Sequence, residues 1–133
     1  RHQKDISLIL MDLDHFADLN EVHGTANGDR ILKEVGRIFR GTTRIHDLVA
    51  RFGADTFAML LPETPFAGAQ TVAAKLKSTL SNTKIRTGNR SIHVTGSFGI
   101  ASSSKATTRP ADLLKSAEKA LKQAKRRGGN QIA

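Results

Sequence analysis

Leu48-Val49-Ala50-Arg51-Phe52-Gly53-Ala54-Asp55-Thr56-Phe57-Ala58-Met59-Leu60-Leu61 sets two short apolar runs on either side of a turn. Such runs around a Gly- and Asp-bearing turn read as a β-hairpin, and Pro62, which has no amide hydrogen to give, ends the second strand. Upstream, Ile6-Ser7-Leu8-Ile9-Leu10-Met11 is almost continuously apolar and runs into Asp12-Leu13-Asp14. That is the pattern of a central strand covered on both faces, with carboxylates at its C-terminal end. Asn27-Gly28-Asp29 then precedes Ile31, Leu32, Val35, Ile38 and Phe39, whose spacing predicts an amphipathic helix to about Arg40, stopped by Gly41.

Beyond the hairpin, Val72, Ala73, Leu76 and Leu80 form a helical stripe within Ala67–Leu80, with Lys75 and Lys77 off it. The stretch Asn82–Asn89 is polar and turn-rich, and Ile92, Val94, Gly96, Phe98 and Ile100 alternate as a single strand. Ser102–Arg109 reads as a loop. Pro110 opens a last helix with Leu113, Leu114, Ala117, Leu121 and Ala124 facing inward, and Gly128-Gly129 stops it. A hairpin inside this alternation excludes a purely parallel sheet. The expected fold class is therefore α+β: a mixed, largely antiparallel central sheet flanked by helices, in one domain spanning residues 1–133.

The chain has 133 residues, 38% of them hydrophobic, which suits one core and leaves no room for a second domain. No apolar run approaches the roughly 20 residues of a membrane span, and the short stretch after Arg1-His2-Gln3-Lys4 does not predict a signal peptide. Cysteine is absent, which removes disulfides, thiolate metal sites and cysteine nucleophiles together. The net charge of +9 is unevenly spread: residues 1–64 carry 8 Lys/Arg against 10 Asp/Glu, and residues 65–133 carry 13 against 2. A basic half beside early carboxylates suits a phosphate ligand held with a metal ion. It argues less for a nucleic acid polymer, because Trp and Tyr are absent and the six Phe lie mostly inside apolar patterns.

Asp12 and Asp14 at a strand end, with Asp55 on a hairpin turn able to lie beside them, offer oxygen ligands for Mg²⁺. Such an ion stabilises charge on a phosphoryl group under attack. Around these acids stand Asp12-Leu13-Asp14-His15-Phe16, Asn20, Gly28-Asp29, Arg44-Ile45-His46-Asp47 nine residues before Gly53-Ala54-Asp55-Thr56-Phe57, Ser97-Phe98-Gly99-Ile100-Ala101 and Ala124-Lys125-Arg126. In order and spacing this set resembles the GGDEF domain of diguanylate cyclases over nearly the whole chain. Only that family's leading helix and Asp-x-Leu-Thr turn are missing from residues 1–133. The resemblance implies a nucleotide-cyclase, polymerase-palm-like fold and a cytoplasmic location, alone or as the cytoplasmic part of a larger, membrane-bound protein. The domain itself would make no membrane contact.

In the family, two such domains face each other and condense two GTP into cyclic di-GMP. The resemblance implies that Asp12, the Leu13 carbonyl and Asp55 hold Mg²⁺ when GTP is bound, with Asp55 the retained catalytic acid of the signature. It further implies that Asn20 and Asp29 hold the guanine edge and that Lys125 approaches the phosphates. Guanine offers N–H donors to an Asp and mixed donors and acceptors to an Asn, so the chemistry is coherent. The plainer reading of Asn20 and Asp29 is turn and helix-cap duty. Arg44-x-x-Asp47 matches the family's inhibitory cyclic di-GMP site: the arginine fork engages phosphate or guanine and the acid accepts from guanine N–H groups. A surface ion pair is its plainer reading.

Three positions depart from the family. Ala54 replaces the second glycine of the signature and adds a methyl where bare backbone approaches the nucleotide, at a cost of ~1–2 kcal/mol if that position is left-handed. Thr56 replaces an acid and cannot supply its charge to a metal or help deprotonate the attacking hydroxyl. Gly129 replaces an arginine four residues after Lys125, removing a phosphate clamp that Arg126 or Arg127 would have to replace. His2, His23, His46 and His93 show no metal-ligand spacing, and His15 takes no assigned role. The expected function is a catalytically impaired module of cyclic di-GMP signalling that binds cyclic di-GMP, GTP or both, working as a homodimer or beside a flanking regulatory domain. The alternatives are an active diguanylate cyclase and a non-binding scaffold.

Overall fold

A computed structural model describes residues 5–103 and 109–133. Strand β1 (Ile6–Leu13) leads into helices α1 (Phe16–His23) and α2 (Thr25–Thr42), then strands β2 (Leu48–Phe52) and β3 (Thr56–Pro62). Helix α3 (Phe66–Asn82), the short strands β4 (Ile85–Thr87) and β5 (Arg90–Ile92), strand β6 (Gly96–Ser103) and helix α4 (Pro110–Arg126) follow. The main sheet runs β2-β3-β1-β6, with each of its neighbouring pairs antiparallel. The mixed character comes from the chain end. Phe98 N donates to Gln131 O at 2.8 Å, and Ala133 N donates to Phe98 O and Ile100 N to Ala133 O, both at 2.9 Å. Residues 131–133 thus lie along β6 in the parallel sense.

Because successive side chains of a strand point to opposite faces, the apolar run of β1 feeds two cores. Ile9, Met11 and Leu13 meet Phe39 of α2 and Leu76 of α3 on one face. Leu10 of β1, with Ala58 of β3 and Ala101 of β6, packs under Leu113, Ala117 and Leu121 of α4 on the other. Leu114, expected to face inward, packs only partly buried at the margin of this second core. α4 can lie so close because Gly99 has no side chain: a Cβ there would be 2.3 Å from Leu121 N and 2.4 Å from Ala117 O.

Two expectations change. The single strand predicted from Ile92 to Ile100 is divided between two sheets: Ile92 ends β5 and pairs with Ile85 of β4, whereas β6 starts only at Gly96 and pairs with β1. The polar stretch before it hides a small hairpin, β4 against β5, closed by Gly88-Asn89 with Gly88 at φ 68°. The positive φ at the first position of a two-residue loop explains the glycine. The loop expected over Ser102–Arg109 lies in good part outside the described residues, as does Arg1–Lys4, while β6 itself runs on to Ser103.

Substituting Gly99 by Ala should lower unfolding free energy by about 1–3 kcal/mol, since backbone of α4 must move to admit the methyl. Gly41, in the last turn of α2 with open space around it, should show the opposite sign, a gain of about 0.5–1 kcal/mol for Ala. Urea unfolding of the two variants checks both.

Candidate functional site

The end of β1 is where the sheet delivers its carboxylates. Asp12 is 7% exposed, and its strand partner across β1 and β3 is Thr56. The Thr56 hydroxyl donates to Asp12 Oδ1, and the Lys125 ammonium, reaching down from the last turn of α4, pairs with Asp12 Oδ2. Asp55 is the last residue of the three-residue hairpin loop, and its carbonyl accepts Leu13 N–H at 3.3 Å. Burial, then the charge of Asp12, push the Asp55 carboxyl up from its ordinary value, while Lys125 and a backbone hydrogen bond pull it partly back. The structure therefore brings Asp12, Leu13, Asp55, Thr56 and Lys125 into one cluster.

Asp14, two residues on, is a structural acceptor. Its Oδ2 takes the Thr95 hydroxyl at 2.6 Å and Asn130 N–H at 2.8 Å, and its Oδ1 takes the Ser97 hydroxyl at 2.7 Å. These partners were not legible in the sequence, although the Thr95-Gly96-Ser97 hydroxyls opposite an acidic strand end were the available signal. Asn130 is brought there by the way α4 ends. Gly128 N–H bonds Lys125 O and Gly129 N–H bonds Ala124 O, the paired closure of a Schellman cap. Gly128 and Gly129 have φ 104° and 79°, and a Cβ on Gly129 would meet Asp14 Oδ1 at 2.9 Å. The glycine that departs from the family's arginine is thus built into this cap. The left-handed position of the signature loop is Gly53 at φ 61°, and Ala54 is not among the described residues with positive φ. The conditional strain expected at Ala54 therefore does not arise.

Asn20 and Gly28 meet where α1 packs on α2. Asn20 Oδ1 is buried without a hydrogen-bond partner, and a Cβ on Gly28 would overlap it at 1.8 Å. Asp29, next along α2, is exposed. Arg44 and Asp47 form a separate pair in the turn before β2. Asp47 Oδ2 accepts Arg44 N–H at 2.8 Å and Arg44 Nε–H at 3.3 Å, and Arg44 Nη2 also reaches Asp47 Oδ1 and the Thr64 hydroxyl. The Asp47 side chain is 3% exposed and that of Arg44 59%. This pair flanks the open end of the β2–β3 hairpin, and Asp55 the closed end, five β2 residues or roughly 17 Å away. Among the described histidines, His15, His46 and His93 are exposed. His15 takes φ 58° in the turn between β1 and α1.

Two clefts adjoin the cluster. One, of about 410 Å³, lies against the start of α1 and is lined by Leu13, His15, Phe16, Asp55, Lys125 and Gly129. The other, of about 660 Å³, opens under α4 and takes Phe52, Thr56, Lys115, Lys119, Lys122 and Lys125 on its walls. The cluster gathers the residues expected for Mg²⁺, but its Asp12 carboxylate meets protein donors in place of an ion. That ion needs near-octahedral oxygens at about 2.0–2.1 Å, yet both Asp12 oxygens are engaged by Thr56 and Lys125. Among the described residues, no group of three or more His, Asp or Glu side chains gathers to hold a metal.

Comparison with known proteins agrees with this fold. The profile of the family described as "Diguanylate cyclase, GGDEF domain" matches residues 1–131. Diguanylate cyclase A of Treponema denticola is 30% identical over 130 residues, which are 98% of this chain and 35% of that protein. The chain thus spans about a third of the length of that curated relative. The crystal structure of diguanylate cyclase SiaD in complex with its activator SiaC, from Pseudomonas aeruginosa, superposes with a TM-score of 0.94 at 29% identity, over 100% of this chain and 51% of that one. The GGDEF domain of DgcB from Caulobacter crescentus, solved in complex with c-di-GMP, gives 0.91 at 26% identity, over 97% of this chain and 77% of that one.

Restoring the family residue by Gly129→Arg should destabilise the domain by about 1–2 kcal/mol through its left-handed backbone alone. Lys125 would lose its fixed base along with the cap. Thermal unfolding measures the loss, and a variant as stable as the parent would contradict the reading of Gly129 as part of the cap.

Proposed function

Because the chain belongs to the diguanylate cyclase GGDEF-domain family, we propose that it serves cyclic di-GMP signalling by binding nucleotide, with synthesis impaired. One observation carries this reading: the acid expected to take metal, Asp12, is closed by Thr56 and Lys125, while the groups suited to nucleotide recognition remain in place. An unpartnered buried carbonyl oxygen such as that of Asn20 is costly. A guanine N–H entering beside the bare backbone of Gly28 would satisfy it, and Asp29 is exposed at the same helix start to accept a second. Phosphates would then lie in the cleft at the start of α1, where free backbone amides and Lys125 favour anions.

Arg44 and Asp47 support cyclic di-GMP as the second ligand. Asp47 already fixes the turn through the Arg44 amide, so the guanidinium is presented from an ordered base with more than half of its side chain in solvent. Binding exchanges part of its contact with Asp47 for phosphate or guanine, a bidentate exchange that arginine suits and lysine does not. Catalysis is weakened because the hydroxyl of Thr56 is a donor to Asp12 and not a base. Losing one transition-state contact of this kind costs on the order of 10²-fold or more in rate.

Calorimetric titration should show GTP binding lost or weakened about tenfold in Asn20→Ala and Asp29→Ala, and cyclic di-GMP binding weakened likewise in Arg44→Ala, as expected for loss of one or two charge-assisted hydrogen bonds. Incubation with GTP and Mg²⁺ should yield no cyclic di-GMP above the uncatalysed background. Failure of the parent chain to bind either nucleotide would sink the proposal, and steady turnover would replace it with an active cyclase.

A further inference from the structure

We propose that Lys125 takes the place of a divalent cation in this chain, so that the carboxylate end of β1 is closed to a free metal ion. The family is one of generally metal-dependent cyclases, and three features set this cluster apart. First, both oxygens of Asp12 are already engaged: its side chain is 10% exposed, with one oxygen on the Thr56 hydroxyl and the other on the ammonium. Second, the local negative charge is partly neutralised within the protein. Asp12 and Asp55 bring two negative charges and Lys125 one positive, whereas an acid at residue 56 would add a third carboxylate directly across the strand pair from Asp12. Like charges opposite each other on neighbouring strands repel, so an acid there demands a cation. A threonine removes the demand and supplies a donor instead.

Third, the lysine is anchored. The Schellman cap after α4 and the bond from Asn130 N–H to Asp14 fix the helix end from which Lys125 reaches. Its ammonium is therefore positioned like a bound ion, and it carries one charge on a tether where Mg²⁺ would carry two and require several water or oxygen ligands. A metal ion would have to compete with both the hydroxyl and the ammonium for the Asp12 carboxylate.

Mn²⁺ without nucleotide tests this independently of any nucleotide binding, with the free-ion electron paramagnetic resonance signal and the melting temperature in chelator against excess Mn²⁺ as readouts. The parent chain should leave the signal and the melting temperature unchanged. Thr56→Glu, which restores an acid opposite Asp12, and Lys125→Met, which frees an Asp12 oxygen, should each bind Mn²⁺ at least ~10-fold more tightly and melt higher with it than in chelator. If Lys125→Met does not fold, Thr56→Glu alone decides. Mn²⁺ uptake by the parent at the affinity of the variants would overturn the proposal, as would folded variants that ignore the ion.

Discussion

The Asp14 carboxylate holds the functional end of this domain together. It gathers two hydroxyls from the start of β6 and one backbone amide from the segment that follows α4. Hydrogen bonds to an ionised acceptor are worth about 1.5–3 kcal/mol each, more than those between neutral groups. Three of them on one side chain lock β1, β6 and the chain end into a single register. The parallel pairing of residues 131–133 with β6 begins one residue after the last of these bonds. The acid that looks most like a second metal ligand in the sequence is thus consumed in architecture.

That lock also decides what Asp12 can do. Side chains alternate along β1, so Asp12 and Asp14 share the face toward α4, and both are reached from the same helix end. The cap at Gly128 and Gly129 shapes the turn that carries Asn130 to Asp14, and the same helix end sends Lys125 to Asp12. Asp12 is nearly buried while Lys125 is half exposed, so removing the lysine would leave the carboxylate with the Thr56 hydroxyl alone. Two of the three altered positions, Thr56 and Gly129, therefore act together. Thr56 and Lys125 satisfy one carboxylate jointly, and Gly129 belongs to the cap that steadies the lysine.

Much of this fold was legible because its periodicities are strong. The apolar run from Ile6, the paired runs around Gly53 and the stripe from Leu113 to Ala124 each bury one face, and burial writes itself into spacing. β4 and β5 escaped notice because each has three residues, mostly polar, and their pairing depends on a turn and not on an apolar face. The break before β6 escaped because its two sides pair with different partners, β5 with the nearby β4 and β6 with β1 some eighty residues earlier. Site residues were legible as a family pattern, and the fold and the family membership agree with it. Their mutual contacts were not. Nothing in linear spacing states that a lysine near the end of the chain closes on an aspartate near its beginning, or that Arg44 is held by Thr64 as well as by Asp47.

The β2–β3 hairpin has a consequence for how such a domain can change over time. β2 is an edge strand, most of its side chains are exposed, and Ala54 at the loop tip faces solvent. Substitutions at the tip meet little of either core, so the chemistry there can be rewritten with small effect on folding. At the other end of the same hairpin, Arg44 and Asp47 are bound to Thr64 and to the chain entering β2, where a substitution disturbs a buried carboxylate. One short element thus gives the two ends unequal mutational tolerance. The loop-tip end is free to drift while the end at Arg44 and Asp47 is held by the demands of folding.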